Sequence, residues 1–174
     1  MYLEVIIGLQ NNTIIMQTLW ILLYCLVGVL RQGKTLIRFI NCQLIKKFNH
    51  VGIAVKNLDR AVEFFRENYG ARLVWRKKFD EQKMESALIS IGEAQFELLA
   101  SLEPQSLIDK FIEGRGEGIH HVSLEVDQFD QVIAEIKARG LRVISEVDTK
   151  DFKAAFIHPQ GNFGVLTEII QPKW

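Results

Sequence analysis

One internal repeat constrains this chain more than any other feature. The segment Phe48-Asn49-His50-Val51-Gly52-Ile53-Ala54-Val55-Lys56-Asn57 is echoed by Gly118-Ile119-His120-His121-Val122-Ser123-Leu124-Glu125-Val126-Asp127, which places His50 and His121 71 residues apart. Two later strand-like runs, Phe96-Glu97-Leu98-Leu99 and Thr167-Glu168-Ile169-Ile170, place Glu97 and Glu168 71 residues apart as well. Sustained similarity at one offset means a unit folded twice, with helices packed outside and strands closing on each other. Two histidines and two glutamates related by that offset point to one metal site shared between the copies.

Each copy reads as βαβββ. In the first, residues 47–55 alternate, with Val51, Ile53 and Val55 on one face and His50, Gly52 and Ala54 on the other. A helix capped by Asn57 or Asp59 follows to about Asn68, with Leu58, Ala61, Val62, Phe64 and Phe65 inward and Gly70 as its stop. Strands are predicted near 71–77, 85–91 and 94–100. A short helix over 104–113 and a glycine-rich connection at 114–118 lead to the second copy. There a strand over 121–126 precedes a helix over 129–138, with Phe129, Val132, Ile133 and Ile136 inward and Gly140 as terminator. Strands near 141–146, 153–158 and 165–170 complete it.

Glu97 and Glu168 lie among apolar residues in strands suited to burial, where a lone ionised carboxylate is costly unless paired or metal-bound. Neither strand carries a lysine or arginine, so a divalent cation is the simplest source of compensating charge. Two histidines and two glutamates suit Zn, Ni, Co, Mn or Fe and leave coordination positions for water or substrate. Gly52 and Ser123, small at matching positions, read as space for a ligand beside the histidines. In the second copy His121, Ser123 and Glu125 share the face opposite Val122, Leu124 and Val126. His120 points away from His121 by strand alternation and reads as a supporting or core residue. His158 ends a strand, either at the pocket rim or in a structural role. The glycines at 114–118 lack the strand-then-helix context of a nucleotide loop.

Composition narrows the classes that remain. Lys plus Arg and Asp plus Glu number 21 each, so no basic field recruits nucleic acid. Both cysteines, Cys25 and Cys42, precede the repeat, which leaves only histidine and carboxylate as strong metal ligands within it. Residues 1–45 form an apolar N-terminal extension, and an uncharged 18-residue run at 13–30 is just long enough to span a bilayer as a helix. Three readings stand for it: a membrane tether leaving the rest cytoplasmic by the positive-inside tendency, a docking helix, or sequence upstream of a working protein that begins near Leu44.

The residues from about 46 to 174 resemble the vicinal oxygen chelate superfamily, which includes glyoxalase I and bleomycin-resistance proteins, and within it the methylmalonyl-CoA epimerases. The resemblance rests on His50-Val51-Gly52-Ile53-Ala54-Val55, Phe96-Glu97-Leu98-Leu99, Gly116-Glu117-Gly118-Ile119-His120-His121, and Ala155-Phe156-Ile157-His158-Pro159 leading to Gly164-Val165-Leu166-Thr167-Glu168. It implies an α+β domain of two tandem βαβββ modules, about 46–113 and 119–174, forming a cupped, half-barrel-like sheet with helices outside. It also implies one divalent metal held by His50, Glu97, His121 and Glu168, and an expected homodimer. The implied reaction is removal of the C2 proton of a malonyl-type acyl-CoA by a carboxylate, with return of a proton on the other face. Glu168 is the expected principal base, doubling as a ligand.

Some members carry a second catalytic glutamate four residues after a glutamine; counted from Gln82, that position is Ser86. Glu85 alternates to the opposite face, so Glu97 becomes the replacement candidate. The family's glycine-rich loop before Phe156 is a shorter Asp148-Thr149-Lys150-Asp151-Phe152-Lys153 here, and the lysine after His-Pro is Gln160. Two alternatives therefore stand beside an epimerase: a glyoxalase I-like lyase acting on a thiol adduct, and a non-catalytic protein binding a drug or metabolite.

Overall fold

The structure is a computed structural model and describes residues 45–173. The expectations for residues 1–44, including the apolar helix and the membrane tether, lie outside the described residues. Among the described residues no helix is long and apolar enough to cross a membrane.

Among the described residues, eight strands and three helices build the α+β domain. The first module comprises β1 (Ile45–Ala54), α1 (Leu58–Tyr69), β2 (Arg72–Phe79), β3 (Met84–Ile91) and β4 (Ala94–Ser101). A linking helix, α2 (Leu107–Arg115), leads to the second module: β5 (Gly118–Val126), α3 (Phe129–Ala138), β6 (Val143–Asp148), β7 (Phe152–Ile157) and β8 (Thr167–Pro172). All strands join one curled sheet in the order β2-β3-β4-β1-β5-β8-β7-β6. The curl brings edge strand β2 to the β6–β7 turn, where Lys77 Nζ lies 3.2 Å from Asp151 Oδ2.

The register shows why the 71-residue offset works. β1 pairs with β4 in parallel, setting Gly52 beside Glu97, and β5 pairs with β8 in parallel, setting Ser123 beside Glu168. These pairs are equivalent under the offset. The modules join through antiparallel β1 and β5, where Val51 faces Val122, His50 faces Ser123 and Gly52 faces His121. A local two-fold relation therefore passes near Val51 and Val122 and carries each histidine onto the other.

Each module fills its own core between sheet and helix. Val55, Leu58 and Leu98 in the first have Val126, Phe129 and Ile169 as counterparts 71 residues later. α1 begins where Asn57 accepts a hydrogen bond from Arg60 N at 2.9 Å, and it ends at Gly70, whose φ of 66° suits a residue without a Cβ. Several sequence expectations shift, with β6 and β8 each displaced two residues from the expected 141–146 and 165–170. Phe64 is half exposed rather than inward, because the buried stripe of α1 runs through Leu58, Ala61, Val62 and Phe65. α2 starts at Leu107, not 104, because Ser106 supplies the cap to Asp109 N. β5 begins at Gly118, which pairs with Ala54, so the last of the expected connecting residues belongs to the sheet.

Candidate metal centre

The two central strands deliver the histidines to one point. His50 and His121 are buried, and their Nε2 atoms face each other at 3.1 Å. Glu97 Oε2 lies 3.2 Å from His50 Nε2 and 3.7 Å from His121 Nε2. Glu168 Oε2 lies 3.5 Å from His50 Nε2 and 4.0 Å from His121 Nε2. His50, Glu97 and His121 each place one donor atom within 4.8 Å of the others, and Glu168 stands beside both imidazoles. All four residues singled out by the repeat are brought together.

Supporting contacts orient every member. Ser86 Oγ donates to Glu97 Oε1 at 2.6 Å, and Ser123 Oγ donates to Glu168 Oε2 at 2.6 Å. Asn49 Oδ1 lies 2.8 Å from His50 Nδ1, while His120 Nδ1 lies 3.0 Å from His121 Nδ1. The His120 ring packs on Phe111 of α2 at a centroid distance of 4.9 Å. His158 Nδ1 accepts Gln160 N at 3.0 Å, so its contact within the described residues is a loop brace. Glu85 is turned away toward Arg76, as alternation predicts.

Gly52 departs from its expected role. A Cβ built there would lie 2.2 Å from Cε1 and 2.3 Å from Nδ1 of His121, so the missing side chain makes room for the imidazole itself, not for a ligand. Ser123, at the matching position, fills its space by holding Glu168. Sequence reasoning missed Asn49 altogether. The signal available was its position, since Asn49 precedes His50 as His120 precedes His121. Gly52→Ala is expected to push His121 out of the cluster. Metal affinity should fall nearly as far as in His121→Ala, and overpacking should cost about 1–3 kcal/mol of stability, read by titration and by denaturant unfolding.

Burial and charge set the protonation pattern of the metal-free cluster. Burial lowers the pKa of His121 to about 3, so this imidazole is neutral. Burial opposes the charged form of His50 too, yet the Glu97 and Glu168 carboxylates outweigh it and raise its pKa. Burial likewise works against ionised Glu97, but the contacts from His50, His121 and Ser86 hold its pKa low. For Glu168 burial dominates, the Glu97 charge adds to it, and the pKa is pushed up to about 7. Without metal, the two carboxylates therefore favour the protonated form of His50.

The donor set fits a divalent metal. Two donors each about 2.1 Å from a shared ion lie roughly 3.0 to 3.4 Å apart, close to the shorter separations here. Two neutral imidazoles and two carboxylates also balance a divalent charge. Glu168 gives a pH signature for the metal-free protein. A carboxyl whose folded pKa of about 7 exceeds its ordinary 4.5 stabilises the fold fully below 4.5, and that stabilisation is lost as pH rises through 7. Metal-free protein should therefore lose thermal stability from pH 5 to 8 relative to metal-free Glu168→Gln, and saturating metal should remove the difference.

With this geometry in view, the family relation is direct. The model of the glyoxalase/bleomycin resistance protein/dioxygenase superfamily matches residues 49–156. The chain belongs to that superfamily. Human mitochondrial methylmalonyl-CoA epimerase is 30% identical over 129 residues, covering 72% of this chain and 73% of the human protein. The crystal structure of methylmalonyl-CoA epimerase from Mycobacterium tuberculosis has a TM-score of 0.72 at 31% identity, covering 79% of this chain and 95% of that one. A variant of the Streptomyces coelicolor methylmalonyl-CoA epimerase in complex with 2-nitronate-propionyl-CoA has a TM-score of 0.69 at 29% identity, covering 73% of this chain and 97% of that one. Members of the glyoxalase superfamily bind a divalent metal, and in this member the His–Glu–His cluster is the candidate place for it.

Proposed function

We propose that the protein is a metal-dependent epimerase that inverts C2 of a malonyl-type acyl-CoA, with methylmalonyl-CoA as substrate. The observation that carries this reading is the convergence of His50, Glu97, His121 and Glu168 where the two modules meet. His50 and His121 would hold the ion through Nε2, and Glu97 and Glu168 would complete the set. A bound divalent cation supplies Lewis-acid stabilisation of the negative charge that develops when the proton beside a thioester carbonyl is removed.

The protein's own groups then divide the proton work. Glu168 would take the C2 proton from one face, and the proton that inverts the centre would reach the other face from a second group, for which Glu97 is the candidate in this chain. In the metal-free protein Glu97 is held ionised by His50 and Ser86, the form in which it would join the ligand set. Ser86 stands where some family members carry a glutamate, and its hydroxyl positions Glu97 instead. Phe156 packs edge-on against His121 at 5.4 Å and closes one flank of the imidazole. A homodimer in the cytoplasm is the assembly expected of it.

The discriminating experiment is a substrate comparison with metal-loaded protein. Interconversion of (2R)- and (2S)-methylmalonyl-CoA, without turnover of the methylglyoxal–thiol adduct, is the expected result. Turnover of the adduct alone makes the protein a lyase, and turnover of neither makes it a binding protein.

A further inference from the structure

We propose that Asn49, anchored by Glu125, is a positioning residue that sets the tautomer and direction of the His50 imidazole. The inference rests on the metal-centre reading and adds residues to it. The Nε2 face of His50 meets the cluster, so its Nδ1 edge must be fixed from behind. Asn49 Oδ1 lies 2.8 Å from that Nδ1 and, as a carbonyl oxygen, can only accept. Nδ1 therefore carries the hydrogen, which leaves the Nε2 lone pair for the ion.

The amide cannot turn over. Asn49 Nδ2 donates to Glu125 Oε2 at 2.8 Å, and a carboxylate there rejects the carbonyl end. Glu125 is itself placed from two sides. It is 6% exposed, with Lys46 Nζ 3.2 Å from Oε1 and Lys47 Nζ 3.3 Å from Oε2. A buried carboxylate outside the cluster, with no part in binding the ion, acquires a reason for its position. It converts the amide from a rotor into an oriented acceptor.

The second module meets the same requirement differently, which argues that the requirement is real. His120, equivalent to Asn49 under the 71-residue offset, places Nδ1 3.0 Å from His121 Nδ1. With His121 Nε2 turned to the ion, its Nδ1–H would donate and His120 Nδ1 would accept. In both modules the residue immediately before the candidate ligand orients it. Partners of this kind typically govern metal affinity by about 10–100-fold.

The test compares cobalt(II) affinity across full-length variants. Asn49→Ala and Glu125→Ala should each bind cobalt about 10–100-fold more weakly than wild type. Glu125→Gln, whose carbonyl accepts the same N–H, should restore affinity to near wild type. The double alanine variant should be no weaker than Asn49→Ala alone, because the two residues act in series. On wild type loaded with zinc, nitrogen-15 spectra should show a His50 Nδ1–H protected from exchange. Equal cobalt affinity in Asn49→Ala and wild type, or a zinc-loaded His50 without that hydrogen, overturns the positioning role alone. Wild type that takes up no cobalt overturns the metal reading and this inference with it.

Discussion

His121→Ala is expected to leave a folded protein that no longer retains stoichiometric metal. Removing a ligand must cost more than removing the residue that orients it, so the loss of affinity should exceed about 100-fold. The ring sits in space created by Gly52, against His50 and Phe156, and its truncation leaves a small polar gap rather than a breach in either hydrophobic core. Far-ultraviolet circular dichroism should therefore match wild type, while metal analysis after gel filtration falls toward zero per chain. His50→Ala should behave alike, since the local two-fold relation makes the histidines equivalent. Retention of a full equivalent by either variant would remove the two histidines from the site.

Glu168→Gln should leave most of the metal bound yet slow proton removal from C2 by about 10²–10⁴-fold. The amide keeps the carboxylate's shape and an oxygen for the ion but cannot accept the proton. Glu97→Gln gives the control within the same cluster. Because Glu97 is held ionised by His50 and Ser86, its replacement should disturb metal affinity more and the chemical step less. Single-turnover kinetics at saturating metal separates the two effects. If Glu97→Gln lost more in the chemical step than Glu168→Gln, the base would have to be reassigned.

The repeat made much of this architecture legible. An offset shared by two histidines and two glutamates can satisfy a sheet only if both modules use one register, and Gly52 beside Glu97 and Ser123 beside Glu168 meet that condition. Strand alternation separated His121 from His120 and Ser86 from Glu85 for the same reason, since period-2 geometry survives packing. What escaped the sequence depends on close approach across the junction. The vacant side of Gly52 read as room for a ligand, because nothing in the local sequence shows an imidazole from the other module lying against it. Asn49 and Glu125 are 76 residues apart, and only the antiparallel pairing of β1 with β5 makes them neighbours. The exposure of Phe64 reflects how α1 rolls on the sheet, which helical spacing alone leaves open.

In the proposed mechanism the junction of the two modules holds a metal ion that supports proton abstraction at C2. The most direct test is deuterium incorporation at C2 of methylmalonyl-CoA in deuterated water, using full-length protein stripped with chelator and then titrated with cobalt(II). Incorporation should be absent in the stripped protein and rise with added metal to saturate near one equivalent per chain. Exchange at the same rate in stripped and loaded protein, or none in protein carrying a full equivalent of metal, would contradict the account.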